Sequence, residues 1–174
     1  ILSAQCTDKR VNLVTKDLFQ RFPDAEDFAL VAQEELEEAI HSTGFFRNKA
    51  KSIKGCCAAL VEKHGGKIPE TLEELVKLPG VGRKTANVVL NMWFRQPAQA
   101  VDTHIFRVGN RSGIAPGKDV DAVERAIEDN IPVDFQLHAH HWMILHGRYH
   151  CKARKPMCPT CIIRDLCQFE DKTQ

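Results

Sequence analysis

The sequence has no run of about eighteen consecutive apolar residues, which is the minimum for a membrane-spanning helix. Its first residues also lack the basic-then-apolar pattern of a secretory signal peptide. Apolar and polar residues do not alternate with a period of two over any useful length, which argues against β-strands. We therefore expect an intracellular all-α protein that makes no membrane contact.

Net charge is also nearly absent, because 24 Lys and Arg residues balance 23 Asp and Glu residues and leave +1 at pH 7. The total charge therefore gives no indication of a nucleic-acid partner. The charges are nevertheless segregated, with acids concentrated in 24–38 and bases in 44–60 and 148–155. A basic surface that meets phosphates is compatible with this pattern, but charge alone favours two ordinary solvated helix faces.

Apolar residues recur at helical spacing along most of the chain. The 174 residues, 43% of them hydrophobic, are enough for one large core or two small ones. Spacing and capping signals predict helices over 11–22, 50–60, 71–77, 83–94, 103–111, 119–129 and about 138–147. Pro97 interrupts this pattern within the segment RQPAQAV, which makes it a candidate domain junction.

Four of the seven cysteines lie near the end of the chain with the spacing C-x6-C-x2-C-x5-C: Cys151, Cys158, Cys161 and Cys167. In an intracellular chain, thiols this close together indicate a metal centre rather than disulfides. Four thiolates suit both tetrahedral zinc and a [4Fe-4S] cube, and the single x2 pair slightly favours the cube. A metal here would also fix the cations of the enclosed loop KARKPM in place. Among the other cysteines, Cys57 lies on an apolar stripe and is predicted to be a core residue, whereas Cys6 and Cys56 have no evident role.

The segment LPGVGRKTANVVL, residues 78–90, places two glycines and then a lysine at the start of a predicted helix. It is not a P-loop, because Arg83 rather than glycine precedes Lys84. It is not a dinucleotide fingerprint either, because a capped helix rather than a strand precedes it. The remaining interpretation is a helix–hairpin–helix whose main-chain N–H groups can approach a DNA phosphate, with an ordinary tight turn as the alternative.

Lys84 occupies the first turn of that helix, where basic residues are normally disfavoured. The helix N-terminus and the neighbouring Arg83 disfavour the charged ammonium, and a neutral amine is a nucleophile. Asp102, in the segment VDTHIFR, supplies a carboxylate directly before the next predicted helix. A solvated helix lysine and a helix-capping aspartate are the simpler interpretations of these two residues.

Several blocks of the sequence, taken in order, resemble the endonuclease III family of helix-hairpin-helix DNA glycosylases. The blocks are LSAQCTD at 2–8, GFFRNKA at 44–50, LPGVGRKTANVVL at 78–90, AVDTHIFRV at 100–108, HHWMILHGRYHC at 140–151 and the four-cysteine tail. The resemblance covers nearly the whole chain but lacks the family's opening segment. Because the chain also starts at Ile1 without a helix cap or a methionine, we expect that an N-terminal segment is missing.

The resemblance implies a fold and an activity. It implies an N-terminally truncated six-helix barrel domain with the hairpin at 1–96, an iron-sulfur cluster domain at 97–174, and an active site in the cleft between them. The implied enzyme removes oxidised pyrimidines and cleaves abasic sites, with Lys84 attacking C1′ of the sugar to form a Schiff base that undergoes β-elimination. Asp102 would support the cationic sugar, and the four cysteines would bind a [4Fe-4S] cluster.

The resemblance also implies a set of DNA contacts. Gln5 and Phe45 match the wedge positions on the two sides of a flipped nucleotide, and Phe45 has a core aromatic as its alternative interpretation. The other expected contacts are Gly80, Val81, Gly82, Arg83, His104, Arg154 and Lys155. His104 has a helix-capping or structural role as its alternative. Met157 stands where the family places a third base, which weakens the expected phosphate contact of that loop.

We expect the partner to be double-stranded DNA that contains damaged pyrimidines or abasic sites. We also expect a monomer located in the bacterial cytoplasm, at the nucleoid. Two other functions fit parts of the pattern. The adenine or mismatch branch of the same superfamily shares the hairpin and the cluster but does not place a lysine at position 84. A non-catalytic DNA-binding module would use the hairpin and a zinc ribbon to hold the DNA backbone.

Overall fold

The structure is a computed structural model that describes all 174 residues and contains nine α-helices and no β-strand. The helices are α1 (Asp8–Arg21), α2 (Ala25–Leu30), α3 (Gln33–Ile40), α4 (Phe46–His64), α5 (Leu72–Leu75), α6 (Arg83–Met92), α7 (Thr103–Ser112), α8 (Val120–Asn130) and α9 (Val133–Tyr149). The all-α prediction is confirmed. The chain forms two compact units, residues 1–85 and 86–174. None of the helices combines the length and the apolarity that crossing a bilayer requires.

The first unit is built on the long helix α4, against which α2 and α3 pack. Its core consists of buried apolar side chains from these helices and from α1: Leu18, Phe22, Phe28, Val31, Leu36, Ile40, Ala50 and Ile53. The predicted stripes lie in α1 and α4, and α1 ends before Pro23 because proline cannot continue a helix. The predicted cap of α5 is present, since the Thr71 side chain accepts a hydrogen bond from the main-chain N–H of Glu74 at 3.3 Å.

Helices α2 and α3 lie in the acidic segment, for which the apolar spacing predicted no helix. A reciprocal cap begins α2: the main-chain N–H of Asp27 donates to the Asp24 side chain at 3.0 Å, and that of Asp24 donates to the Asp27 side chain at 3.4 Å. Two aspartates three residues apart were therefore the signal available in the sequence. The helices are short, so each offers too few apolar positions to establish a period.

The two adjacent cysteines of α4 exchange the roles expected for them. Cys56 is buried at 9% exposure, whereas Cys57 is only partly buried and packs at the margin of the core. Burial raises the pKa of both thiols, that of Cys57 to about 11. The apolar stripe of the sequence is therefore correct for Ala50, Ile53 and Leu60, which are buried, and it differs from the structure only in that Cys56 is more buried than Cys57.

The second unit packs α7, α8 and α9 around a core of Val101, Ile105, Val108, Ala115, Val123, Ile127, Ile131, Ala139 and Met143. Helix α8 is capped by Asp119, whose side chain accepts from the N–H of Ala122 at 2.8 Å. Helix α9 begins at Val133, well before the predicted start near His138, because Pro132 directly precedes its first turn. Its early residues were missed because several are polar or exposed.

Buried amides hold the segment that leads to Asp102 within the second unit. The Asn87 side chain donates to the carbonyl of Gln99 at 2.9 Å, and the Asn91 side chain donates to that of Ala98 at 3.1 Å. The Gln99 side chain donates to the carbonyl of Gln136 at 2.7 Å. Since Gln99 is fully buried, these bonds give the irregular segment one position and thereby place Asp102 at the start of α7.

Candidate active site and cysteine cavity

The predicted hairpin joins α5 to α6 within the first unit, and its two glycines have different environments. Gly80 has φ +74°, and a methyl group added there would lie 2.6 Å from Cβ of Ser52 in α4. Gly82 has no atom within 4 Å of the corresponding position and no left-handed backbone angle. The fold therefore requires glycine at 80, whereas the space above Gly82 is open to a ligand.

The other predicted functional residues of this segment, Val81, Gly82, Arg83 and Lys84, lie in the hairpin turn or in the first turn of α6. Its turn is closed by a hydrogen bond from the N–H of Val81 to the carbonyl of Leu78 at 3.1 Å. Gly82 and Arg83 are exposed, and Val81 is half-buried. Lys84 lies in the first turn of α6 with its side chain exposed. An amine at this position is accessible to a large substrate such as DNA.

Asp102 caps α7 in the second unit. Its Oδ1 accepts hydrogen bonds from the main-chain N–H groups of His104 at 2.8 Å and Ile105 at 2.9 Å, while Oδ2 makes none. Helix capping therefore uses Oδ1 of Asp102 and leaves Oδ2 without a hydrogen bond. His104 is half-buried, and its Nδ1 lies 3.2 Å from Nη2 of Arg107, which fits the structural role considered for it.

The two predicted wedge residues share an unusual backbone conformation in the first unit. Gln5 has φ +51° and Phe45 has φ +50°, and both side chains are exposed, Phe45 by 64%. Residues other than glycine rarely adopt this left-handed region, and strained backbone of this kind concentrates at functional sites. The core alternative for Phe45 is wrong, because its side chain lies outside the core cluster of the unit.

The basic stretch in α4 is not one solvated face. Lys49 is buried at 5% exposure and donates to main-chain carbonyls, and Lys54 is half-buried and does the same. Arg47 and Lys51 are exposed. Charge patterning alone does not distinguish the inward lysines from the outward ones, because long side chains at neighbouring turns bury their stems differently.

The four cysteines of the tail line a single cavity in the second unit, together with Arg111, His146 and His150. Cys151 Sγ lies 3.7 Å from Nη1 of Arg111, and the thiol of Cys167 donates to the carbonyl of Arg111 at 3.4 Å. No group of three or more His, Cys, Asp or Glu side chains is arranged to hold a metal ion.

Local charges and burial shift the pKa of two groups at this cavity, Cys158 and His146. Burial raises the pKa of the Cys158 thiol, but the hydrogen bonds to Thr173 and the guanidinium groups of Arg111 and Arg164 outweigh it, and the net pKa is lowered. Burial and the neighbouring His150 lower the pKa of His146. Thiolate is the form of cysteine that binds metals, so the lowered pKa of Cys158 favours ligation.

Arg111 braces the loop that follows Cys151, and sequence reasoning missed this residue. Its guanidinium donates to the carbonyls of Lys152 at 2.7 Å and Ala153 at 3.1 Å. The loop then exposes Arg154 and Lys155, and Lys155 has φ +52°. An arginine in the last turn of a helix carries no sequence signal that separates a loop brace from an ordinary helix-terminal cation.

Comparison with known proteins adds independent findings. The model of the HhH-GPD superfamily base excision DNA repair protein matches residues 1–133. Endonuclease III of Haemophilus influenzae is 50% identical over 174 residues, which cover 100% of this chain and 82% of that protein. Endonuclease III of Escherichia coli K12 is 48% identical over 172 residues, which cover 99% of this chain and 82% of that protein.

A solved structure of a trapped covalent intermediate between endonuclease III and DNA superposes on this chain with a TM-score of 0.88. The two sequences are 50% identical, and the match covers 96% of this chain and 79% of the other. Similarity therefore extends over both units at the level of sequence and backbone.

Proposed function

This chain belongs to the endonuclease III family, within the HhH-GPD superfamily of base excision DNA repair proteins, and on that premise we propose that it excises oxidised pyrimidines and cleaves the abasic sites through Lys84. It is a DNA-binding enzyme, a DNA glycosylase with abasic-site lyase activity. One observation carries the finer proposal: an exposed lysine lies in the first turn of α6 in a chain 50% identical to a protein that was trapped covalently on DNA.

The proposed reaction begins when the Lys84 amine attacks C1′ of the damaged nucleotide. The bond between C1′ and the base breaks, and the base leaves with that electron pair and takes up a proton. The sugar ring then opens to give an imine between C1′ and Nζ. Loss of a proton from C2′ expels the 3′ phosphate by β-elimination, and water hydrolyses the imine to free the enzyme.

Asp102 acts on the sugar as positive charge develops. Its Oδ1 is held by two main-chain N–H groups at the start of α7, so the orientation of the carboxylate is set before substrate binds. The unpaired Oδ2 is the atom that stabilises the cationic sugar and assists the proton transfers. The cap and the catalytic role therefore use different oxygens of one side chain.

The DNA contacts divide between backbone and base stack. The main-chain N–H groups of Gly80 and Gly82 hold a phosphate at the turn that the N–H of Val81 closes, and the exposed Arg83 adds charge beside it. Gln5 and Phe45 fill the space left by the flipped nucleotide, because base extrusion costs a few kcal/mol that stacking offsets. Arg154 and Lys155 meet further phosphates, and His104, two residues after Asp102, supports that end of α7.

The cysteine cavity fits a [4Fe-4S] cluster held by Cys151, Cys158, Cys161 and Cys167. All four cysteines line one cavity, and four thiolates are the ligand set that holds such a cluster. When bound, the cluster would cross-link the tail through four thiolate bonds. That cross-link would fix the loop carrying Arg154 and Lys155, which Arg111 already braces.

The proposal also covers the domain boundaries, the oligomeric state, the cellular location and the damaged bases. We place a barrel domain at 1–96 and a cluster domain at 97–174, and we propose that a monomer acts on double-stranded DNA. The relatives come from bacteria, which supports the bacterial cytoplasm as the location. The damaged bases are proposed to be oxidised pyrimidines, and abasic sites are substrates for the lyase step alone.

Borohydride trapping on abasic DNA tests the proposed chemistry. Borohydride reduces the imine to a stable amine, so the wild-type protein is expected to form a covalent adduct that survives denaturing electrophoresis. Lys84→Gln is expected to form no adduct and to cleave no abasic site, while its DNA affinity stays within about threefold. Lys77→Gln, at another exposed lysine just before the hairpin, is the matched control. An adduct formed by Lys84→Gln would remove Lys84 from the mechanism.

A further inference from the structure

Lys49 is a buried lysine whose polar partners are main-chain carbonyls. Its side chain is only 5% exposed, and Nζ donates to the carbonyl of Leu2 at 2.9 Å and to that of Thr43 at 2.8 Å. No carboxylate lies within salt-bridge distance of it. Burying a lysine without a carboxylate partner costs free energy. The hydrogen bonds to its two acceptors must therefore stabilise the structure enough to offset that cost.

The two acceptors lie on separate loops, and each loop carries one of the wedge residues. Leu2 begins the turn that contains Gln5, and Thr43 directly precedes the turn that contains Phe45. The main-chain N–H of Lys49 also donates to the carbonyl of Phe45 at 3.0 Å. One residue of α4 therefore contacts both loops, because its side chain donates to main-chain carbonyls that lie three residues before Gln5 and two residues before Phe45.

We propose that Lys49 is a positioning residue that sets Gln5 and Phe45 as a matched pair for insertion into DNA. This inference rests on the proposed function, since it assigns a role within base extrusion. A left-handed backbone at a residue other than glycine costs energy and persists only where the surroundings hold it. Nζ of Lys49 fixes both loops, so the side chains of Gln5 and Phe45 are already in position when they meet the duplex.

The requirement for this placement differs between the two halves of the reaction. Excision starts from a paired and stacked base, so the wedge must compensate for breaking that stack. A preformed abasic site has no base to extrude, and its sugar reaches Lys84 with less help from the wedge. A positioning residue for the wedge should therefore affect excision much more than cleavage of abasic DNA.

The same helix provides a matched control. Lys54 is half-buried in α4 and, like Lys49, donates to main-chain carbonyls, those of Ala29 and Val31. Its acceptors lie at the end of α2, away in sequence from both wedge loops. Lys54→Met therefore removes a comparable internal tether of the same unit without releasing Gln5 or Phe45.

The experiment measures single-turnover rates for Lys49→Met and Lys54→Met on two duplexes, one with a single thymine glycol and one with a preformed abasic site. Lys49→Met is expected to lower thymine glycol excision at least about tenfold and abasic cleavage by no more than about threefold. Lys54→Met is expected to change both rates by the same factor. A 2-aminopurine base opposite the lesion, which brightens on unstacking, should lose its signal only with Lys49→Met.

Two results would overturn the inference: an equal loss of both activities in Lys49→Met, or no loss of excision. If Lys49→Met fails to fold, a double-mutant cycle of Gln5→Ala and Phe45→Ala tests the same inference. The inference predicts that their effects on excision are coupled, and additive effects would contradict it. Failure of the proposed function is a separate result, because the wild-type protein itself would then neither excise the base nor form the borohydride adduct.

Discussion

Gly80 and Ser52 approach so closely that a methyl group on Gly80 would lie 2.6 Å from Cβ of Ser52. The hairpin therefore packs directly on α4, the helix that also carries Phe45 at its start and Lys49 in its first turns. The proposed nucleophile Lys84, the hairpin turn and the two loops that carry Gln5 and Phe45 all belong to the first unit. This contact and the positive φ of Gly80 leave no room for a side chain at the first glycine of the hairpin.

The two hairpin glycines are expected to respond differently to alanine. Gly80→Ala introduces both a left-handed alanine and a clash, and should lower the free energy of unfolding by about 2 kcal/mol or more. Gly82→Ala should leave stability within about 0.5 kcal/mol but weaken binding to abasic DNA about tenfold, because the methyl group occupies the space for a phosphate. Urea unfolding and fluorescence anisotropy measure the two effects. Normal affinity in Gly82→Ala would show that no phosphate approaches there.

Asp102→Asn separates the helix cap from the carboxylate. Asparagine caps a helix about as well as aspartate, so the free energy of unfolding should change by no more than about 0.5 kcal/mol. Excision should slow by about a hundredfold or more because the negative charge facing the sugar is lost. Asp102→Ala is the comparison, since it loses the cap as well and should cost about 1 kcal/mol of stability. Near-normal turnover by Asp102→Asn would leave Asp102 as a cap alone.

The identity of the metal is expected to be visible in the purified protein. A [4Fe-4S] protein is brown and should contain about four iron and four sulfide ions per chain. Cys158→Ser should lose most of the visible absorbance and become more sensitive to proteolysis within 151–167, where the cross-link is removed. Metal analysis and limited proteolysis check these outcomes. Stoichiometric zinc in a colourless, active protein would replace the cube with a zinc site.

The stability of the first unit should depend on pH through Cys57. Because burial raises the pKa of its thiol from 9.0 to about 11, the folded chain keeps this proton at pH values where the unfolded chain has lost it. The resulting contribution to the free energy of unfolding is complete below pH 9.0 and is lost as the pH rises towards about 11. Cys57→Ser cannot titrate there, so its stability should fall less steeply over this range in urea unfolding. Parallel pH profiles would contradict this assignment.

Most helices could be predicted because their signals are local. Thr71 with Glu74 identified the start of α5, and the periodic apolar residues identified α1, α4 and α7 within a few residues. The acidic helices α2 and α3 were missed because short helices carry little periodicity. The exchange between Cys56 and Cys57 has a similar cause, since one position along a helix turns the side chain by about 100° and the stripe does not resolve that difference.

For the candidate site, the sequence determined the residue types and their spacing: a lysine after a glycine hairpin, an aspartate before a helix and four clustered thiols. Those features depend on chemistry and chain order, which a sequence contains directly. The tertiary structure decided that Lys49 points inward to join two loops, that Gln5 and Phe45 adopt left-handed backbone, and that Arg111 braces the Arg154 loop. Such contacts join residues far apart in the chain, and packing selects them from many that local propensity would allow.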